Sequence, residues 1–362
     1  MKILIHSSYR DAWNSVRPEA EMFIEMAKMG HEITIVTQGD AEYVSRFREH
    51  NINIIDCYPT RKICCRTIKT IRNEMRNDDY DIVYAMNSKT IPNAAFACLG
   101  FKAKLIAYRG TVGGLYRHDP TAYLTQLNPR VNGISCVAKA VQEDVQKQVW
   151  KNKKNVVTIY KGHDPKWFKD TPSDLSEFAI KKEDFVAICV ANARPSKGVA
   201  VLLEAVNQLA DYSNFHLLVV GRDLDKSPYS ELIANNAMRA RIHVAGYRND
   251  VPGLMAAADL QIQPSISGEG LPKTVIEGMA YALPSIVTTT GGSPELVKDG
   301  ESGFIIPSKD VNALAAKIKF FVENPNATKE MGIKAQQFMH QEFSLAKTVE
   351  KHLHFFASLI NN

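Results

Sequence analysis

Pro264-Ser-Ile-Ser-Gly-Glu-Gly-Leu-Pro-Lys-Thr-Val-Ile-Glu-Gly278 is the stretch around which the chain is organised. Before it, Asp259-Leu-Gln-Ile-Gln263 is short and alternating, and reads as a buried strand. After it, Lys273 to Ala282 holds helix formers with Gly278 as the only breaker, which predicts a helix. Pro272 suits the first helical position, where a missing N–H costs nothing. The expected unit is therefore a strand, a glycine-flanked turn carrying Glu269, and a helix whose first amides point back at the turn. Those amides lack intrahelical partners and the helix dipole favours negative charge, so the arrangement suits an anion. Glu277 lies about a turn and a half into the helix. With Glu269 it brackets the anion site with carboxylates able to accept hydroxyl hydrogen bonds. A ligand with phosphates in the middle and polyols at both ends matches, and a nucleotide-sugar is such a ligand. Two glutamates eight positions apart also occur by chance, so the rest of the chain has to decide.

At 362 residues the chain has room for two domains with separate cores. Its 45% hydrophobic and 23% charged residues are those of an ordered globular protein. No run approaches the ~18 uninterrupted apolar residues of a membrane span. Met1-Lys-Ile-Leu-Ile-His-Ser-Ser8 turns polar too soon for a secretory signal. Six cysteines (Cys57, Cys64, Cys65, Cys98, Cys136, Cys189) show no Cys-x-x-Cys and no framework spacing, as expected of reduced packing residues in a cytoplasmic protein.

The net charge of +5 is lopsided: residues 1–160 hold 23 Lys/Arg against 16 Asp/Glu, and the remainder 21 against 23. Much of the excess lies in Arg61 to Arg76. There Lys62, Arg66, Lys69, Arg72 and Arg76 recur at helical spacing beside Ile63, Ile68, Ile71 and Met75. Two readings stand open. One is a basic amphipathic helix on an anionic membrane surface, peripheral on the inner face of the plasma membrane. The other is a solvated helix face packed on its own sheet. Nucleic acid is not an expected partner.

Lys2-Ile-Leu-Ile-His6 reads as a fully buried strand of the kind parallel sheets require. Helix Pro18–Met29 and strand Glu32–Val36 follow, and the unit repeats through Asn53–Ile55, Asp81–Ala85, Lys104–Tyr108, Gly133–Ala138 and Val156–Tyr160. Lys161-Gly-His-Asp-Pro165 is the first strong punctuation. A second series starts at Phe185–Val190 and runs through Phe215–Gly221, Arg241–Gly246, Asp259–Gln263 and Pro284–Thr288, with helices such as Val199–Ala210 and Tyr229–Met238 between. Alternating strands and helices predict two doubly wound, Rossmann-like α/β domains facing a cleft. Their expected bounds are 1–163 with the C-terminal helix 344–362, and 164–343.

Asn192-Ala-Arg-Pro-Ser-Lys-Gly198 fills the loop after the first strand of the second series. Arg194 and Lys197 thus stand at a strand's C-terminal edge, where a planar fork and a point charge would share a leaving diphosphate. No Gly-x-Gly-x-x-Gly and no Walker loop occurs, against NAD and ATP chemistry. Asp79-Tyr-Asp81 and Asp223-Leu-Asp225 suggest metal chelation, but the first precedes a strand and the second sits in a polar loop, so both read as structural. No His/Cys cluster has metal-ligand spacing, and no cofactor is expected.

Several stretches, in order and spacing over residues 185–305, carry a resemblance. They are Arg194-Pro-Ser-Lys-Gly198, Gly246-Tyr-Arg-Asn-Asp-Val251, Ala258-Asp-Leu260, Pro264 to Gly278, Thr290-Gly-Gly-Ser-Pro-Glu-Leu-Val297 and Asp299-Gly-Glu-Ser-Gly303. The second domain resembles the nucleotide-sugar domain of retaining GT-B glycosyltransferases of family 4. The resemblance implies that Arg194 and Lys197 hold the diphosphate and that Glu277 binds the ribose. It implies that Glu269 faces the sugar with the amides of Gly270 and Leu271, and that the backbone near Tyr247 and Arg248 receives the base. Lys273 and Thr274, at the helix N-terminus, complete the donor site.

Two departures concern the first domain. Asp11-Ala-Trp-Asn-Ser-Val-Arg17 stands where family members carry a Gly-Gly loop, and Arg109 stands where they often carry a His. His118 is nine residues further on and is the alternative candidate for that role. Arg17 and Arg109 instead bring positive charge toward the diphosphate or an acidic acceptor.

The expected activity is retaining transfer of a sugar from a nucleotide-diphosphate donor, UDP-linked, to a hydroxyl of a glycan or lipid-linked glycan. Surface-polysaccharide or lipopolysaccharide assembly uses such a step. The competing expectations are a non-catalytic nucleotide-sugar-binding subunit and another sugar-nucleotide enzyme, such as an epimerase.

Overall fold

The computed structural model describes residues 1–10 and 13–361. Asp11 and Ala12, which begin the segment standing in place of the Gly-Gly loop, and the terminal Asn362 lie outside the described residues. Two compact units result: Met1–His163 with Phe343–Asn362, and Asp164–Glu342.

The first unit holds β1 (Lys2–His6), β2 (Glu32–Thr37), β3 (Asn53–Asp56), β4 (Ile82–Ala85), β5 (Lys104–Arg109), β6 (Val131–Cys136) and β7 (Val156–Thr158). All pair in parallel, in the order β3-β2-β1-β4-β5-β6-β7. Its helices are α1 (Trp13–Lys28), α2 (Val44–Glu49), α3 (Cys65–Asn77), α4 (Thr90–Ala97) and α5 (Lys139–Gln148). β1 and β4 are apolar on both faces because helices cover both, so Ile3, Leu4, Ile5, Ile82 and Val83 are all buried.

The second unit holds β8 (Phe185–Val190), β9 (Phe215–Val220), β10 (Ile242–Gly246), β11 (Leu260–Gln263), β12 (Ser285–Thr288) and β13 (Gly303–Ile306). These also pair in parallel, in the order β10-β9-β8-β11-β12-β13. Around them lie α6 (Val199–Val206), α7 (Tyr229–Ala234), α8 (Val251–Ala256), α9 (Lys273–Ala280), α10 (Val311–Glu323) and α11 (Pro325–Glu342). The chain then re-enters the first unit as α12 (Leu345–Ile360). Its buried His352 approaches Tyr84 Oη and Ser135 Oγ at 3.4 Å and hydrogen-bonds the Thr348 carbonyl at 2.9 Å. Burial pushes that imidazole down to about 4, so it stays neutral.

Several elements differ from the sequence expectation. The helix expected from Pro18 begins at Trp13, with Pro18 inside its early turns, where a proline's fixed φ is already helical. Pro272 is the N-cap of α9, with extended ψ, and not its first residue. α9 ends at Ala280 because Ala282 takes a left-handed conformation, φ 56. Gly278 sits inside α9 because a side chain there would collide with Gln261 of the underlying strand. Strand β13 follows the Asp299-Gly-Glu-Ser turn and is only four residues long, too short for alternation to announce it.

Candidate functional site

In the second unit, strand order reverses between β8 and β11. Open α/β sheets bind ligands outside the carboxyl ends of the strands at such a point. The loop leaving β8 carries Arg194 and Lys197, and the loop leaving β11 carries Glu269. Seventy-two residues apart in sequence, Lys197 Nζ and Glu269 Oε1 meet at 2.7 Å.

Local structure forces this meeting. Pro195–Lys197 is a single 3-10 turn with Arg194 as its N-cap, closed by Gly198 at φ 69. A side chain on Gly198 would collide with the Pro264 carbonyl, so only glycine lets the first loop pass against the second. The Ile266 amide then donates to the Ser196 carbonyl at 2.8 Å and ties the loops together.

Glu269 is only 5% exposed. Three donors surround its Oε1: the Lys197 ammonium, the Ser265 hydroxyl, and the Gln263 amide at 3.2 Å. Thr288 and Thr290 in turn donate to the Ser265 carbonyl, and the Thr274 hydroxyl donates to Gln263 Oε1 at 3.1 Å. Without such donors a buried carboxylate would cost several kcal/mol. Gln263, Ser265, Thr288 and Thr290 were not singled out in the sequence. The signal was present as a glutamine at the end of a central strand, where apolar residues are the rule.

On α9, Lys273 Nζ holds Glu277 Oε1 at 2.7 Å across one turn. Gly270 and Leu271 lie between these two carboxylate–ammonium pairs in sequence, with the Gly270 carbonyl fixed by the Gly292 amide at 2.9 Å. The exposed Arg194 guanidinium has no hydrogen-bond or ion-pair partner among the described residues. Further along the same edge, Arg248 is committed to Asp250 at 2.7 Å and Glu177 at 2.9 Å. Tyr247 is 57% exposed, with the Arg222 guanidinium 4.4 Å from its ring centre. The Arg222 amide donates to Asn192 Oδ1 at 3.0 Å, which joins this plate to the Arg194 loop. Arg222 is a neighbour that sequence motifs did not reveal.

In the first unit, order reverses between β1 and β4. Arg109 ends β5 and lines a cavity of about 260 Å³ with Lys62, Asn87, Tyr108 and Thr111. Its guanidinium donates to the carbonyls of Thr111 (3.1 Å) and Gly113, so it braces its own loop, and burial lowers its pKa. His118 is exposed and stacks on Tyr116, ring centres 5.2 Å apart, and does not line that cavity. Among the described residues no group of three or more His, Cys, Asp or Glu could hold a metal ion. Asp81 accepts the Lys2 amide at 2.8 Å, and Asp223 pairs with Lys226 at 2.6 Å.

The basic stretch divides. Arg72 donates to the carbonyls of Ala97 (3.0 Å) and Leu99 (2.7 Å) at the end of α4, and its guanidinium lies 5.1 Å from the Phe101 ring centre. It caps a helix. Arg61 and Lys62 precede α3, while Arg66, Lys69 and Arg76 are exposed on it.

Residues 170–338 match the family model of the group 1 glycosyl transferases, and residues 20–167 match that of glycosyltransferase family 4. The chain belongs to the group 1, family 4 glycosyltransferases. It is an enzyme of the hexosyl-transferring class. The glycosyltransferase is 24% identical to N-acetyl-alpha-D-glucosaminyl L-malate synthase of Bacillus anthracis, over 92% of this chain and 90% of that one. Its fold is GT-B. A glycosyltransferase of Rickettsia africae superposes with TM-score 0.84 at 20% identity, covering 100% of this chain and 99% of that one. HepE of Anabaena, solved with UDP-glucose, superposes with TM-score 0.76 at 20% identity, covering 99% and 100%. No helix among the described residues is long and apolar enough to cross a membrane.

Proposed function

We propose that this glycosyltransferase moves a hexosyl unit from a UDP-linked donor to a hydroxyl of a glycan or lipid-linked glycan, with retention, in surface-polysaccharide assembly. The observation that carries the reading is the pair Lys197–Glu269 beside the open Arg194 guanidinium at the second unit's switch point. A UDP-sugar exchanges partners with what is already there. The diphosphate takes Lys197 and Arg194, and the α9 N-terminus at Lys273 and Thr274 adds its amides. The freed carboxylates turn to polyols: Glu269, with the Gly270 and Leu271 amides, to the sugar, and Glu277, released from Lys273, to the ribose. The base lies against the backbone of Tyr247 and Arg248. As the sugar–phosphate bond breaks, charge grows on the departing diphosphate, and preorganised cations stabilise it more than the ground state. The acceptor oxygen attacks from the face the phosphate leaves, and a phosphate oxygen takes its proton. HepE, crystallised with UDP-glucose, supports the choice of uridine.

The two carboxylates separate in a titration. Glu277→Ala is expected to weaken UDP and donor alike by about tenfold, the loss of ~1.4 kcal/mol. Glu269→Ala is expected to leave UDP affinity at least as high, since its partner is the sugar and its removal frees Lys197, while abolishing most turnover. Calorimetry showing UDP affinity lost with Glu269→Ala and kept with Glu277→Ala would reverse the assignment.

The exposed Arg66, Lys69 and Arg76, with Ile63 45% exposed beside them, support docking of the first unit on an anionic membrane that presents a lipid-linked acceptor. Each basic residue near such a surface is worth about 1 kcal/mol. Reversing Arg66, Lys69 and Arg76 to glutamate should lower sedimentation with phosphatidylglycerol vesicles at least tenfold, and Arg72 should not be included because it caps α4. Unchanged sedimentation would remove the membrane from the proposal. The relative named for L-malate motivates the second reading, a small acidic acceptor, which Lys62 in the first-unit cavity favours.

A further inference from the structure

The crossover from β5 to β6 spans residues 110–130, yet its only regular element is the 3-10 turn Pro120–Leu124. A parallel crossover ordinarily lays a helix over the sheet. Here the crossover lacks one, and a cavity of about 480 Å³ opens at the N-terminal end of β6, floored by Leu127, Gly133, Ile134 and Val156, all buried. This is the edge of the sheet opposite to the one that carries Arg109.

Trp150 stands at its rim, 65% exposed. The ring is mounted rather than loose. The Arg117 guanidinium stacks 4.3 Å from its centre and is itself fixed to the carbonyls of Lys147 and Gln148 at the end of α5, both at 2.8 Å. The indole N–H donates to Tyr123 Oη at 3.4 Å, and Tyr123 donates to the Arg117 carbonyl at 3.2 Å. An exposed indole held this way loses little entropy when a flat apolar partner covers it.

Five of the fifteen lining residues are amides, and Lys151 is the only ionisable side chain besides Tyr123. Among the described residues, Asn132 spends its Oδ1 on Arg130 and the Leu105 amide but leaves Nδ2 without a partner, and Asn155 spends only Nδ2. The Asn152 side chain is exposed and makes no hydrogen bond among the described residues. An amide both donates and accepts, as a hydroxyl does. Apolar floor, mounted indole and unspent amides match a molecule with one C–H face and a hydroxyl edge, and the volume is that of a small-ligand pocket.

We propose that this cavity is a saccharide-binding site for a neutral disaccharide unit, stacked on Trp150 and held by Asn132, Asn152 and Asn155. None of its lining residues belongs to the donor loops, it shares only Gln126 with the cavity lined by Arg109, and it stands or falls independently of the donor assignment. Such a site would tether a glycan chain to the first unit.

The test uses the full chain labelled with 5-fluorotryptophan, its Trp150 fluorine resonance assigned through Trp150→Phe. Maltose, cellobiose, lactose and N,N′-diacetylchitobiose are titrated in turn, with hexanol as an apolar control, each with and without saturating UDP. The expected result is a saturable shift of the Trp150 resonance with at least one disaccharide, unaffected by UDP. Calorimetry with that sugar should show Trp150→Ala weakening binding at least tenfold, or ~1.4 kcal/mol. Asn152→Gly, which keeps the left-handed backbone and removes the amide, should also weaken it. A resonance unmoved by all four sugars, moved by hexanol alone, or restored by UDP overturns the site.

Discussion

Removing both cations from the β8 loop, Arg194→Ala with Lys197→Ala, is expected to lower kcat/KM for the nucleotide-sugar by about two to four decades. A hydrogen bond to a charged group contributes ~1.5–3 kcal/mol, and each decade of rate corresponds to 1.36 kcal/mol. Either single substitution should therefore cost about one to two decades. The singles are not equivalent. Arg194 is exposed and its guanidinium has no partner among the described residues, so its loss should leave folding untouched. Lys197 neutralises a carboxylate that is only 5% exposed, so its loss leaves Glu269 with Ser265 and Gln263 alone. Lys197→Ala should then lower the unfolding midpoint as well as the rate, and Lys197→Ala with Glu269→Gln should restore the midpoint but not the rate. Steady-state kinetics beside thermal unfolding separates the two effects. Wild-type turnover in the double mutant would place the diphosphate elsewhere.

Gly198→Val is the substitution with the largest expected effect on stability. Gly198 has φ 69, a conformation that costs a β-carbon-bearing residue ~1–2 kcal/mol. A side chain there also runs into the Pro264 carbonyl, and forcing such overpacking typically costs ~1–3 kcal/mol more. A loss of about 2–5 kcal/mol is expected, read as a fall in the denaturant midpoint at constant slope. Because this glycine separates the two site loops, surviving folded protein should also bind UDP more weakly. Gly30 is the control: its φ is 87 but nothing lies within 4 Å of where its β-carbon would go. Gly30→Val should cost the conformational share alone. Equal losses at the two positions would mean that the passage between the β8 and β11 loops is not tight.

Much of this was legible in the sequence because it is local. Apolar runs such as Lys2–His6 and Phe215–Val220 report a strand covered on both faces, and the alternation of strand and helix reports a parallel sheet whatever the order of its strands. The Pro264–Gly278 stretch announced its strand, turn and helix through residues that interact within a few positions of one another. The family motifs were legible for the same reason: each is a short loop with its own turn chemistry.

Strand order is different, since pairing β8 with β11 joins segments some seventy residues apart through backbone bonds that any side chains permit. Only that pairing brings Lys197 to Glu269 and makes one site of two loops. Tertiary structure also decided which charges remain available. Arg72 and Arg109 look in the sequence like cations awaiting a ligand, yet each is occupied by carbonyls of the fold, while Arg194 is left open. A guanidinium is spent wherever unpaired carbonyls lie within reach, and reach is a property of the folded chain. The cavity beneath Trp150 is legible only there as well, because its lining comes from the β5–β6 crossover, the starts of β6 and β7 and the segment after α5.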